Sequence, residues 1–598
     1  MTTLPKTAAP KTLKKIQNKG EIGMDYKQEY EKWLSYPELE KSLKDELISI
    51  KDNEAEIKER FYRELEFGTA GLRGILGAGT NNMNIYVVRK ATQGIADYIL
   101  SRDPSYKDRG VAIAYDSRNC SPEFAREAAL TLCANGIKAY LFDELRPVPE
   151  LSFTVRHLKT IAGIVITASH NPKEYNGYKV YWEDGGQVPP AVSDEITKSI
   201  EQVEFFNTKT TDFDGAVESG MLKVIGGEVD EAYINAVYKQ AINKDAVARV
   251  GDKFKLIYTP LHGSGNKLVR KILEKSGFKN VLIVKEQELP DGNFPTVKSP
   301  NPENKEAFTI AIELAKKENV DLIIGTDPDC DRVGVVVKTK TGDYMTLTGN
   351  QIGSLLTNYI ISAKKENGTL PENGAVVSTI VSTPLARKIA ESYGMTYFAT
   401  LTGFKFIGEK IHEFETKHNH EYLFGFEESY GYLAGTHARD KDGVVSSMLI
   451  AEMAAVYSEK GMSLYEAMME MYDKFGGYTE ETVSITLSGS DGIKKIQEIM
   501  EDLRNNIPQS FGDFKVLSLS DYKTSVKTNA KTGEKEMLTL PKSNVLAFEL
   551  SDGVSFIARP SGTEPKIKLY YLANAKTKAL SDELLIKAKE QISKCIIK

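Results

Sequence analysis

Three times along this 598-residue chain a short apolar run gives way to a segment with helical spacing. In the first round VAIAYD (111–116) precedes EFAREAALTLCANG (123–136), whose last glycine suits a helix C-cap. KAYLFD and IAGIVITA (161–168) follow as strands. In the second, FKLIYTPLHGSG (254–265) is a strand entering a glycine-rich loop, KLVRKILEKSG (267–277) is helical and VLIV is a strand. EAFTIAIELAKKENV (306–320) is then helical, and VDLIIGTDPDCDRVGVVVK reads as strand, loop and strand. The third places the strand AVVSTIVST between the helices GNQIGSLLTNYIISAKK (349–365) and PLARKIAESYG. This alternation predicts an α/β fold with largely parallel strands. No exact sequence repeat underlies it, so the three units are alike in pattern only.

The flanks differ. Residues 28–66 read as amphipathic helices rich in Glu and Lys. From about residue 480 the strands ETVSITLSG, NVLAFEL, VSFIARP and KIKLYYLA mix with two helices, DGIKKIQEIMEDLRNN and KALSDELLIKAKEQISK. These predict a smaller α+β unit. Lys, Thr, Asn and Gly crowd 522–538, which predicts an exposed loop or hairpin. A chain this long needs several cores, because single cores stop growing at roughly 250–300 residues. The expected division is 26–225, 226–342, 343–478 and 479–598. Residues 1–25, with lysines at 6, 11, 14, 15 and 19 and two prolines, read as a disordered extension.

Net charge of −6 and a pI near 5.9 argue against a nucleic-acid partner, whose binding surface would be basic. An anionic small molecule can still be held by a locally basic site. Four cysteines, scattered at 120, 133, 330 and 595, fit a reducing cytoplasmic setting and no disulfide or zinc framework. No apolar run reaches the ~18–20 residues of a membrane span, so no membrane partner is expected. Nothing in the sequence fixes an oligomeric state.

Five fragments carry chemistry. TASHNPKEYNGYK (167–179) puts Ser169 where an apolar strand yields to a loop, with His170 beside it and Lys179 further on. A serine there commonly only caps a helix or turn, and the glycines of a hydrolase nucleophile elbow are missing. A serine can nevertheless accept a phosphoryl group if cations neutralise the transferring oxygens. GTDPDCDR (325–332) alternates Asp327, Asp329 and Asp331, and carboxylates so close repel unless a hard cation lies among them. An EF-hand would need Gly at its sixth position and Glu at its twelfth. Arg332 and Lys338 stand there, and the flanks read as strands. A solvated acidic turn remains the bland alternative. RPSGTEPK (559–566) gathers Arg559, Ser561, Gly562 and Thr563 into one turn, suited to a phosphate dianion or simply to a hairpin. GFEESYGY (425–432) offers Glu427 and Ser429 to sugar hydroxyls. GTAGLRG (68–74) holds Arg73 among small residues that allow close backbone approach to an anion. The HNH segment at 418–420 has no further spaced ligands and reads as a polar loop.

Together, and in their order along the chain, the fragments resemble the α-D-phosphohexomutase superfamily, in its phosphoglucomutase/phosphopentomutase branch. The resemblance runs from GTAGLRG to RPSGTEP and implies three similar α/β domains and a C-terminal α+β domain of TATA-binding-protein-like fold around a central cleft. It makes Ser169 the phosphoserine and Asp327, Asp329 and Asp331 the Mg²⁺ site, shared with a Ser169 phosphate oxygen. Lys179 falls at the general acid/base position, Arg73 and Arg332 at active-site arginines, and His170 next to the serine. Glu427 and Ser429 match the sugar loop, and Arg559, Ser561, Gly562 and Thr563 the loop for the non-reacting phosphate. Arg118 in AYDSR, Lys405 in TLTGFK and Lys441 in RDKDG match positions near the substrate, and TPLHGSG (259–265) is typical of this branch.

The implied activity is interconversion of glucose 1-phosphate and glucose 6-phosphate through a bisphosphate, with glucose 1,6-bisphosphate as activator and sugar phosphates as partners. Pentose and mannose phosphates remain alternative substrates. Further rivals are a serine- and metal-dependent phosphatase, which would release free phosphate, and a non-catalytic sugar-phosphate sensor.

Overall fold

Each predicted round builds one sheet of a computed structural model that describes residues 25–68, 71–487, 492–561 and 566–596. The first sheet comprises β1 (Gly71–Ile75), β2 (Val111–Tyr115), β3 (Ala139–Phe142), β4 (Ala162–Ile166), β5 (Tyr175–Trp182) and β6 (Leu222–Ile225), in the order β1-β5-β4-β2-β3-β6. The second holds β7 (Lys255–Thr259), β8 (Asn280–Ile283), β9 (Leu322–Thr326), β10 (Val333–Lys338) and β11 (Tyr344–Thr346), ordered β11-β10-β9-β7-β8. The third holds β12 (Gly374–Thr379), β13 (Thr396–Thr400), β14 (Glu421–Glu427) and β15 (Gly431–Ala434), ordered β13-β12-β14-β15. Helices between the strands cover the sheets, and sequence punctuation ends them where expected. After the helix Ser121–Ala134, Gly136 takes φ 75° while its N–H and that of Ile137 reach back to the Cys133 and Leu132 carbonyls, closing a Schellman motif.

The sheets are less parallel than their alternation predicts. β4, β2, β3 and β6 run parallel, as do β9, β7 and β8, and β14, β12 and β13. On one side of each sheet, however, a strand turns straight back: β4 into β5, β9 into β10, β14 into β15. A parallel connection needs a crossover of a dozen or more residues, so these short links enforce antiparallel pairing. Their turns are 167–174, 327–332 and 428–430, the very segments that carry the chemical motifs.

Residues beyond 476 form an antiparallel sheet of β16 (Gly477–Thr486), β17 (Ser510–Phe511), β18 (Phe514–Asp521), β19 (Val526–Asn529), β20 (Lys535–Met537), β21 (Leu546–Leu550), β22 (Val554–Pro560) and β23 (Lys566–Ala575). The helices Gly492–Asn505 and Lys578–Ile596 pack on it through Ile496, Met500, Leu585 and Ile592. The 522–538 stretch contains the β19–β20 hairpin. β18, with its alternating buried and exposed side chains, has no counterpart in the sequence reading. The RPSGTEPK motif begins at the end of β22 and finishes at the start of β23, two strands that pair antiparallel.

The junction of the second and third units is less sharp than expected. β11 pairs with β10, so the second sheet reaches past residue 342. One core runs through the second and third units, from Tyr233 and Leu268 to Met448 and Phe475, because the helix Gly443–Glu459 is apolar on nearly every side and is buried between them. At the N-terminal end, the helices Tyr26–Ser35, Lys41–Ser49 and Glu54–Phe61 cap the first unit. There Trp33 meets Phe61, Tyr86, Phe205 and Phe206 edge-on. Among the described residues no helix is long and apolar enough to cross a membrane.

Candidate active site

β4 is buried along its whole length, so the chain leaves the core at Ile166 and the next residues line a cleft. Ser169 takes φ 53°, a left-handed conformation that costs a non-glycine residue about 1 kcal/mol. The surroundings impose it. The Ser169 N–H donates to Thr167 Oγ1 at 2.8 Å, and Thr167 Oγ1 donates to Asp116 Oδ2 at 2.6 Å. Arg118 spreads its guanidinium over the loop's carbonyls, reaching Ser169 O at 2.5 Å, Pro172 O at 2.8 Å, Tyr175 O at 3.0 Å, and Asn171 O. The sequence reading puts Arg118 at the substrate. Its side chain is instead enclosed, ion-paired to Asp116 and committed to the serine loop's backbone.

Ser169 Oγ donates to Asp327 Oδ2 at 2.7 Å and lies 3.1 Å from His170 Nδ1. Burial and the nearby Arg332 and Arg73 push the His170 pKa well down, so the ring is neutral. Arg73 is exposed on β1, opposite Gly177 of β5 in the strand register.

The aspartate turn between β9 and β10 lies directly beneath the serine. Asp327, Asp329 and Asp331 are all buried and each turns one oxygen to within 4.8 Å of the others. Asp327 Oδ1 accepts the N–H groups of Asp331 and Arg332 at 3.1 and 3.0 Å. Asp329 Oδ2 accepts from Lys179 Nζ at 2.9 Å and lies 3.2 Å from Thr167 Oγ1. Asp331 Oδ2 lies 3.1 Å from Lys441 Nζ and 3.5 Å from Lys179 Nζ. Lys441, expected at the sugar, therefore stands at the aspartate turn, bridging to Asp440 at 2.8 Å. Burial, then repulsion by Asp329 and Asp331, raises the Asp327 pKa well above the carboxylate range. Asp331 is held low despite burial, by Lys441, Lys179 and Arg332. Burial opposes charge on Lys179, but Asp329 and Asp331 outweigh it and its pKa rises.

These residues fit a hard divalent cation. Asp329 Oδ1 and Asp331 Oδ1 are buried with no hydrogen-bond partner among the described residues, a costly arrangement that ligation would relieve. Among the described residues this is the only His/Cys/Asp/Glu group with ligand spacing. The HNH segment lines a separate cavity with Gln240 and Lys364 and has no such geometry. The flanks of the aspartate turn are strands, as the rejection of an EF-hand requires.

The first three units all hold that turn. Asp329 O accepts from Val148 N at 2.9 Å, Pro328 O from Ser264 N at 2.8 Å, and Cys330 O from Gly443 N at 3.0 Å. The glycines of TPLHGSG permit this approach: a Cβ at Gly263 would lie 2.5 Å from Pro328 Cα, and one at Gly265 2.8 Å from Cys330 Sγ. His262 in the same loop holds Leu289 O and Thr296 Oγ1 at 3.1 and 2.9 Å. Arg332 extends from the turn to Glu303.

The β14–β15 turn presents Glu427, buried, with Oε1 accepting Gly403 N at 2.7 Å, and the partly exposed Ser429. Burial raises the Glu427 pKa against the pull of Lys441. Lys405 and Arg559 line one cavity of about 450 Å³ between the third and fourth units. Burial lowers the Lys405 pKa. Ser561 closes the β22 side of its turn, its N–H donating to Lys566 O at 2.7 Å. Gly562 and Thr563 lie outside the described residues. Sequence reasoning missed Thr167 and Asp116, which orient the serine loop, and Lys542, which joins Lys405 and Arg559 in their cavity. Only the β4-to-motif junction hinted at Thr167. Asp116 and Lys542 leave no local signature.

Fold and site together define a phosphoryl-transfer enzyme whose serine faces a carboxylate cluster in a multi-unit cleft. Models of the phosphoglucomutase/phosphomannomutase α/β/α domains I, II and III match residues 64–207, 231–342 and 348–475. The phosphoglucomutase of Staphylococcus saprophyticus is 40% identical over 520 residues, covering 87% of this chain and 92% of the relative. That of Staphylococcus epidermidis is 38% identical over 539 residues, covering 89% and 94%. Among solved structures, the open form of pp63/parafusin, a phosphoglucomutase from Paramecium, shares the fold with TM-score 0.65 at 18% identity, over 90% of this chain and 96% of that one. A phosphoglucomutase/phosphomannomutase family protein of Burkholderia thailandensis does so with TM-score 0.63 at 18% identity, over 89% and 97%. The chain belongs to the phosphoglucomutase/phosphomannomutase family of the α-D-phosphohexomutase superfamily, and is an enzyme of the isomerase class.

Proposed function

We propose that this enzyme interconverts glucose 1-phosphate and glucose 6-phosphate, with Ser169 carrying the phosphoryl group between two transfers. The observation that carries the reading is the 2.7 Å contact of Ser169 Oγ with Asp327 inside the buried aspartate turn. The relatives at 40% and 38% identity, both phosphoglucomutases, support glucose over pentose or mannose. Asp327, Asp329 and Asp331, with an oxygen on Ser169, would hold Mg²⁺, which when bound supplies charge neutralisation at the transferring phosphoryl oxygens.

In the first transfer the P–O bond to Ser169 Oγ breaks, a P–O bond to the free sugar hydroxyl forms, and the hydroxyl proton ends on Ser169 Oγ; in the second the P–O bond at the sugar's other end breaks, a P–O bond to Ser169 Oγ forms, and the serine proton returns to the sugar oxygen. Lys179 and the neutral His170 are the groups placed to pass that proton. Arg73 and Arg332 balance charge at the serine. Glu427 and Ser429 hold the ring, while Lys405, Arg559, Ser561, Gly562 and Thr563 take the non-reacting phosphate. Glucose 1,6-bisphosphate turns end for end between transfers, and added from outside it recharges Ser169. The four free cysteines suit a cytoplasmic location.

The test compares glucose, mannose, ribose and deoxyribose 1-phosphates in coupled assays. Glucose 1-phosphate is expected to give the highest kcat/KM, with glucose 6-phosphate as product. A preference for ribose 1-phosphate would move the assignment to pentoses, and stoichiometric inorganic phosphate would make it a phosphatase.

A further inference from the structure

Glu428, between the two sugar-loop residues, has no place in that mechanism. It stands at the tip of the β14–β15 hairpin, half-buried, and its side chain makes only one hydrogen bond to another described residue, a long one of 3.4 Å from Thr379 Oγ1. Its backbone is clamped: a Cβ on Gly349 would lie 2.0 Å from Glu428 O, and Tyr430 O accepts from Val333 N at 3.0 Å. The carboxylate therefore cannot retreat by moving the loop.

In the fourth unit Arg559 on β22 and Lys568 on β23 stand opposite each other in the strand register. Both interact electrostatically with Glu428, as does Tyr570, whose hydroxyl lies 3.4 Å from Arg559. Among the described residues neither cation forms an ion pair within 4 Å. Among the described residues Glu428 is thus the carboxylate whose charge acts most strongly on Lys568, ahead of Glu303, beside the strand ends that flank the loop assigned to the substrate's non-reacting phosphate.

Resting on the mutase reading above, we infer that Glu428 stands in for that phosphate: its carboxylate faces Arg559 and Lys568 before substrate binds and takes up a proton from solvent when the dianion arrives. The groups around it agree. Burial, then the charge of Glu427, pushes the Glu428 pKa up to about 7 against the pull of Lys568 and Arg559. Burial lowers the Lys568 pKa, with Glu428 opposing. A phosphate dianion beside Glu428 raises its pKa further, so binding consumes protons and weakens as pH rises above about 7. Glu428 is a positioning and specificity residue in this scheme: it favours ligands whose second phosphate reaches the Arg559–Lys568 pair.

The experiment uses the full chain carrying Ser169→Ala, which binds sugar phosphate without turnover. Glucose 6-phosphate is titrated calorimetrically at about pH 7.5 in buffers of different ionisation enthalpy. A large fraction of one proton per site should be taken up, falling to near zero when Glu428→Gln is added and persisting with Glu428→Asp. In the otherwise unmodified enzyme, KM for glucose 1-phosphate should rise by up to about tenfold between pH 6.5 and 8.5 while kcat changes less, and Glu428→Gln should flatten that rise. Equal proton uptake with and without Glu428→Gln, or a KM profile that this substitution leaves unchanged, would overturn the inference while leaving the mutase reading intact. No binding of glucose 6-phosphate at all would overturn both.

Discussion

Ser169 is held by contacts that mostly arrive through the backbone. Thr167 accepts its N–H, Arg118 donates to its carbonyl and Asp327 accepts its hydroxyl. Ser169→Ala is therefore expected to lower mutase turnover by about 10⁴-fold or more while glucose 6-phosphate still binds, read by coupled assay and calorimetry. Asp329→Asn should abolish Mg²⁺ activation, since it changes one of the aspartate turn's two unpartnered buried carboxylate oxygens and loosens Lys179. Unaltered Mg²⁺ dependence of turnover would remove that aspartate from the metal site. Ser169 and the aspartate triplet were legible because their chemistry is written in adjacent letters. Asp116 and Arg118 were not, or not correctly, because their partners lie some fifty positions downstream and are mostly main-chain atoms.

At the scale of the element, the recurring device is a hairpin placed where a parallel strand ends. It gives each motif a short, doubly anchored turn whose two strands fix it in the sheet. Gly177 shows how tight that anchoring is: a Cβ there would lie 2.5 Å from Thr167 O and 2.8 Å from Leu72 O, both main-chain atoms. Gly177→Ala should cost about 1–3 kcal/mol in chemical denaturation and lower kcat more than it raises KM, because the strain falls on the serine loop. Wild-type stability in that variant would contradict the close packing. Apolar runs revealed the central strands β2, β3, β4, β7, β8, β9, β10 and β12 of the first three units, but not β1, β5, β6, β11, β13, β14 or β15. They did not reveal direction, because the length of each link decides it, and the link is where the motif lies.

On the scale of the whole molecule, four sheets meet around one cleft, and two of the units share a core that no single segment discloses. The helix Gly443–Glu459 was missed as a joint because its partners come from the helices Gly265–Ser276 and Lys244–Val250 of another unit. The fourth unit joins the third through Glu480 of β16, which faces Thr383 and Lys578. Burial pushes its pKa up to about 7. A carboxyl raised above its unfolded value gives stability that is complete below that unfolded value and is lost as pH rises through the folded one. Glu480→Gln should thus stabilise the enzyme at about pH 8 relative to pH 5, by about 1 kcal/mol after solvent screening, read as a pH-dependent difference in Tm. A difference independent of pH would contradict the buried carboxyl.

The phosphoryl shuttle depends on one covalent state. The dephosphorylated enzyme, incubated with glucose 1,6-bisphosphate labelled in its phosphates and then digested, should carry label on the peptide containing Ser169. Adding unlabelled glucose 6-phosphate should move that label into sugar phosphate. Label on another residue, or release of the Ser169 label only as inorganic phosphate, would contradict the phosphoserine shuttle.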